Sequence, residues 1–320
     1  MHKLSARQCT LAGDLEFSGF GVHSGVPVTL TITPAPPDTG YQISRKMDDG
    51  SIVGPVAVHF TRVTRTTLCT TLDLGESTSI ATIEHIVSAL SGMGIDNAYI
   101  TLNGLECPIL DGSAMPYTAG IMRVGIQIQP AARRYIKVKR AVTVRNNDAF
   151  AALEPYNGRV LDLEIEFDSE VIGRQRMIFD WTPRLYAEKI AAARTFGFAR
   201  DRKALQQAGY ALGSSLENSI LVEENQILNP DGLRFEDEFV RHKMLDAIGD
   251  LSLAHGGLAI YGRFRSYKGG HALNALVLNS LFASEANYEI VAAEDLPLSF
   301  DALDDLPDGL EVNSYLRSVG

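Results

Sequence analysis

The chain has 320 residues, 45% hydrophobic and 21% charged, enough for one large domain or two of ordinary size with a normal core. A net charge of −10 excludes the overall basic footprint of nucleic-acid binders, so an anionic substrate would have to be met by a local pocket. Three cysteines at unrelated spacings make no disulfide framework, and no run approaches the ~18 apolar residues of a membrane span. "MHKLSARQCTLAGDL" lacks the apolar core of a signal peptide, and a cytoplasmic protein is expected.

In chain order, the first 75 residues read as strands and turns, with "VPVTLTITPAPPDTG" alternating apolar and threonine positions before a Pro/Gly-rich break. A helix follows, with Ile83, Ile86, Val87 and Leu90 on one face and Gly92 and Gly94 at its end. "NAYITLNG" returns to strand period, and "MPYTAGIMRVG" predicts a second helix. After Pro130, "RRYIKVKRAVTVRN" reads as one alternating strand with a basic face, and a domain boundary is expected within residues 125–134. Further strands are predicted at "GRVLDLEIEFD" and "RQRMIFDW", and helices at "PRLYAEKIAAAR", "EFVRHKMLDAIGDLSLA" and "HALNALVLNSLFAS". Strands and helices come in separate groups, which favours α+β over a βαβ array. Residues 294–320 hold seven acidic residues against one arginine and are expected to be a solvated tail.

The chemistry begins at "RHKMLDAIGD", where His242, Asp246 and Asp250 recur at a spacing of four and share a helix face. Hydrolytic zinc sites commonly use three protein ligands and keep a position open for water. His242 and Asp246 can supply two of them from one turn, and His85 is a candidate third. Glu84 beside it is a carboxylate placed to handle a proton. Taken singly, each signal has a blander meaning. A His-x-x-x-Asp pair is most often a solvated polar pair, Glu-His at a helix start is favourable dipole chemistry, and His271 after two glycines is an ordinary loop residue.

The combination with longer strings separates these meanings. "TIEHIVSALSGMGIDN", "DGSAMP", "EPYNG", "ARTFGF", "LRFEDEFVRHKMLDAIGDL" and "YKGGHALN" run collinearly from about residue 7 to residue 280. The set resembles the UDP-3-O-acyl-N-acetylglucosamine deacetylases, the zinc amidases of lipid A synthesis. The resemblance implies two α+β domains of similar topology, each a β-sheet layered with helices, with the active site between them. With the boundary expected within residues 125–134, the divisions are taken at residues 1–128, 129–290 and an acidic tail, 291–320, and the tail lies outside the resemblance. The resemblance implies Zn2+, or Fe2+ at the same ligands, held by His85, His242 and Asp246. Glu84 matches the general base acting on the metal's water. His271 matches the cationic partner that stabilises the oxyanion and protonates the departing amine, Asp250 its orienter, and Thr195 a hydroxyl bonding the tetrahedral intermediate.

For the substrate, an acylated UDP-N-acetylglucosamine, the resemblance implies diphosphate contacts from Lys243 and Lys268. It implies a uracil surface at Phe167 and an acyl passage after Thr195, with Phe196, Phe198, Ala211 and Leu212 as lining candidates. By composition alone those four are ordinary core. One departure is visible: residues 147–153, "NDAFAAL", lack the basic residue that relatives often carry there, for which Lys137, Lys139 or Arg140 are candidate replacements. No nucleic acid or membrane span is expected, only transient proximity to a membrane, and a monomer is expected. Two other readings share these residues: a non-haem Fe(II) oxygenase built on a two-histidine, one-carboxylate triad, and a non-catalytic nucleotide-sugar or lipid binder. Neither needs Glu84 as a base.

Overall fold

The computed structural model describes residues 6–254 and 257–297; His255 and the acidic positions from Asp301 onward lie outside them. Six helices are present among the described residues: α1 (Glu84–Gly92), α2 (Met115–Val124), α3 (Pro183–Lys189), α4 (Ala199–Gln207), α5 (Glu238–Leu251) and α6 (His271–Phe282). With several β-sheets beside them, the fold is mixed α+β, as expected.

In the first half, Pro27–Pro34 turns Val28, Leu30 and Ile32 inward and its threonines outward, the period-2 pattern of a sheet with one buried face. It pairs antiparallel with Leu15–Phe20 and Ala98–Leu102, and the sheet continues through Tyr41–Lys46 to Ile52–Ala57. Helix α2 lies on this sheet, where a Cβ on Gly120 would come within 2.6 Å of the Phe17 ring. Helix α1 packs beside α2.

The second half is organised by the long strand Ala259–Tyr267, which pairs with Arg134–Val138, Ala149–Glu154 and Arg159–Glu166. Helix α6 packs on Val142–Asn146 and Ala149–Glu154, helix α5 on Arg159–Glu166 and Arg174–Asp180, and the two helices touch one another. A smaller unit sits beside it: Phe196–Phe198 runs parallel to Ile220–Glu223, with α4 between them in sequence.

Three sequence expectations change. The basic stretch after Pro130 is two strands, Arg134–Val138 and Val142–Asn146, each with different partners. Successive side chains Tyr135 and Ile136 are both buried, so the first strand has a covered face on each side. Helix α4 was not foreseen, because none of its residues is buried and it carries no apolar stripe. Finally, Ala293 and Leu296 are buried with Tyr135 and Tyr261, so the packed chain extends past the start of the expected tail.

The contact that sets up the site is between α1 and α5. A Cβ on Gly249 would fall 2.1 Å from the Glu84 carbonyl oxygen, a distance no larger residue tolerates. Ser88 Oγ donates to the Leu245 carbonyl at 2.8 Å, tying the helices a turn further along. This approach brings Glu84 and His85 on α1 against the face of α5 that carries His242, Asp246 and Asp250.

Candidate active site

Helix α1 begins at Glu84, and all nine of its residues are buried. His85 on α1 faces His242 on α5, with ring centroids 5.1 Å apart. His85 Nε2 lies 3.8 Å and His242 Nε2 3.3 Å from Asp246 Oδ1. One ligand atom from each of these three residues falls within 4.8 Å of the others. His242 Nδ1 lies 3.0 Å from the Ala193 carbonyl, an acceptor that places the proton on Nδ1 and leaves the Nε2 lone pair facing the cluster.

Burial pushes His85 down to about 3, and the neighbouring His242 adds to the effect. Burial also lowers His242 despite Asp246. Asp246 is held well below the usual carboxylate range, because His242, Lys243 and His271 outweigh its own burial. Two neutral imidazoles and an ionised carboxylate are the donor set that binds zinc or ferrous iron. The buried His85 Nδ1 has no hydrogen-bond partner. The residues therefore fit a divalent cation.

Two further titratable groups, Glu84 and His271, stand beside this cluster. Burial raises Glu84 to about 8, with Asp250 and Asp246 adding to the shift against the opposing pull of His271. His271, the first residue of α6, sits with Nε2 3.8 Å from Glu84 Oε1 and Nδ1 2.8 Å from Asp250 Oδ2. Its burial and its place at the positive end of a helix disfavour the charged ring. The carboxylates prevail, Asp250 foremost, and raise His271 to about 9. Asn274 Nδ2 also donates to Asp250 Oδ2 at 2.8 Å. Asn274 lies three residues after His271 on α6, so same-face spacing was a usable signal for it.

Glu84, His85, Thr195, Phe196, His242, Lys243, Asp246, Lys268 and His271 line one cavity of about 400 Å³. Thr195 is held by its backbone: its N–H donates to the Gly112 carbonyl and its own carbonyl accepts from Ile220 N–H, both at 2.8 Å. Gly112 has φ +85°, and a Cβ there would meet the Asn218 carbonyl oxygen at 2.1 Å, which accounts for glycine in "DGSAMP". Below Thr195, the buried Arg194 is paired with Glu238 at 2.9 Å.

The expected substrate contacts divide. Lys243 Nζ donates to Asp246 Oδ2 at 2.9 Å and lies 5.6 Å from the Phe196 ring centroid, at the edge of the cluster. Lys268 reaches the cavity while paired with Asp148 at 2.9 Å. Phe167 packs against Phe196 and Phe198, with centroids 5.6 and 6.0 Å away. Phe150, not singled out in the sequence, lies on the Lys268 side with Arg145 and Arg265 over its ring. Ala211 is half-buried and Leu212 is 51% exposed, so neither is in the core.

An α+β fold with a buried two-histidine, one-carboxylate cluster beside a close glutamate–histidine pair is an arrangement suited to metal-dependent hydrolases, a class that shares its ligand triad with Fe(II) oxygenases. Comparison narrows it: the family model described as UDP-3-O-acyl N-acetylglycosamine deacetylase matches residues 8–283, and the chain belongs to that family. A UDP-3-O-acyl-N-acetylglucosamine deacetylase of Shewanella loihica is 44% identical over 92% of this chain and 96% of its own length. Proteins of the same name from Shewanella halifaxensis and Shewanella pealeana are each 43% identical over the same shares. Among the described residues, no helix is long and apolar enough to cross a membrane.

Proposed function

We propose that this protein hydrolyses the N-acetyl group of UDP-3-O-(3-hydroxyacyl)-N-acetylglucosamine, giving UDP-3-O-acyl-glucosamine and acetate, as a cytoplasmic enzyme of lipid A biosynthesis. The observation that carries the reading is the 3.8 Å separation of Glu84 Oε1 and His271 Nε2 beside a three-ligand cluster, in a chain of this family. His85, His242 and Asp246 hold zinc, with ferrous iron an alternative at the same ligands. A bound divalent cation supplies Lewis acidity toward the attacking water and the scissile carbonyl.

The rest is the work of this chain. Glu84 takes a proton from the attacking water on Oε1. Its raised proton affinity makes it a stronger base, and a nearby cation favours its ionised form at neutral pH. Thr195 donates its hydroxyl to the oxygen that gains charge as the carbonyl becomes tetrahedral. Asp250 holds the His271 ring, and His271 delivers a proton from Nε2 to the departing amine nitrogen. The C–N bond breaks, acetate forms, and the amine leaves neutral.

Lys243 and Lys268 meet the diphosphate, and Phe167 and Phe196 contact the uracil and acyl portions. Residues 1–128 and 129–290 act as two lobes that contribute α1 and α5–α6 respectively, with 291–320 as an acidic appendage. The test is acetate release from the acylated UDP-sugar before and after chelation. Activity lost on chelation and restored by Zn2+ or Fe2+ supports the reading. Full activity in the metal-free protein refutes it.

A further inference from the structure

Thr70 is 2% exposed and immediately precedes the strand Thr71–Gly75, in a part of the first half that shares no helix with the site. Its carbonyl accepts from Ile83 N–H at 3.4 Å, whereas its two donors go to the proposed proton-transfer machinery. The Thr70 amide donates to Glu84 Oε2 at 3.1 Å, and the Thr70 hydroxyl donates to Asp250 Oδ1 at 2.6 Å. The same hydroxyl oxygen lies 3.2 Å from His271 Nδ1.

We infer that Thr70 is a positioning residue that clamps the proposed base and the proposed acid together across the two halves of the chain. The argument follows from counting donors and acceptors, and it rests on the function proposed above. A threonine hydroxyl has one proton to give, and an ionised carboxylate can only accept. With the Thr70 proton on Asp250 Oδ1, the other carboxylate oxygen is left to His271 Nδ1–H and Asn274 Nδ2, both at 2.8 Å. Asp250 is thereby held in one rotation, and the His271 proton is kept on Nδ1. His271 Nε2 is then the nitrogen that faces Glu84 and the cavity, where proton delivery occurs.

The amide acts on the other partner. It occupies Glu84 Oε2 and leaves Oε1 directed at His271 Nε2. One residue therefore sets both ends of the gap in which a water and an amide nitrogen must fit. An ordinary buried threonine needs one acceptor for its hydroxyl; nothing in that requirement selects two different proton-transfer groups from two helices.

The test compares Thr70→Ala and Thr70→Ser, which differ only in the hydroxyl, by acetate release from the acylated UDP-sugar with metal content and melting temperature measured alongside. For Thr70→Ala, kcat falls about 10- to 100-fold, KM stays within about twofold, and metal content is native. Thr70→Ser regains kcat to within about threefold of the native protein, because the hydroxyl and the amide are both retained. A kcat for Thr70→Ala within about twofold of native overturns the inference, as does equal impairment of the two variants. If Thr70→Ala does not fold, Thr70→Ser carries the test alone, and a kcat reduced more than about tenfold in it overturns the inference. A native protein that releases no acetate with metal present overturns the proposed function and this inference together.

Discussion

Helices α1 and α4 are each nine residues long, yet every residue of α1 is buried and none of α4 is. Helix α1 is locked between α2 and α5, with polar Glu84 and His85 held inside by specific partners. Helix α4 lies on the unit after Thr195, outside the core, with Asp201, Arg202 and Lys203 in solvent. The difference teaches where the chain invests order. The groups proposed to move protons are set where neighbours fix them and raise their proton affinity. A helix with no buried face is held by few contacts and opens at lower cost.

The comparison can be broken most directly at its most buried point. Glu84→Gln keeps the shape of α1 and removes the base, so kcat is expected to fall about 10²- to 10⁴-fold with metal content retained. A non-catalytic binder would be unaffected in its biological activity, and an oxygenase would not need the group. Next in size is packing: Ile86→Ala, at a fully buried position, is expected to cost about 2–5 kcal/mol in denaturant unfolding.

The pH dependence comes third. His271 is raised to about 9 from an ordinary 6.5, so in the folded protein it is protonated at neutral pH and loses its proton as the pH rises through about 9. Acetate release should decline on that alkaline side by up to about tenfold per pH unit, and His271→Ala should remove this limb at a far lower rate. An alkaline limb retained in His271→Ala would assign the acid to another group. The smallest effect belongs to α4. Lys203→Ala is expected to change stability by no more than about 0.5 kcal/mol, and a loss near that of Ile86→Ala would erase the contrast.

Local pattern determined much of this molecule. The period-2 apolar runs specified Pro27–Pro34, Ala98–Leu102 and Arg159–Glu166, and the helical spacings specified α1, α2, α5 and α6. Those signals survive in a linear sequence because burial imposes a fixed period on each element. They gave way where both faces of a strand are covered, as at Tyr135 and Ile136, and where a helix has no buried face, as in α4.

At the site, His242, Asp246 and Asp250 were legible as one helix face, and the collinear motifs pointed to Glu84, His85, Thr195 and His271 as companions. Their meeting was decided by tertiary structure alone. It depends on Gly249 letting α5 touch the backbone at Glu84, a contact between positions 165 residues apart that no local period encodes. Thr70 left no trace in the sequence for the same reason. Its role consists of an amide bond to Glu84 on α1 and a hydroxyl bond to Asp250, 180 residues away on α5. A hydrogen bond between distant segments has no sequence period, so only the folded chain displays it.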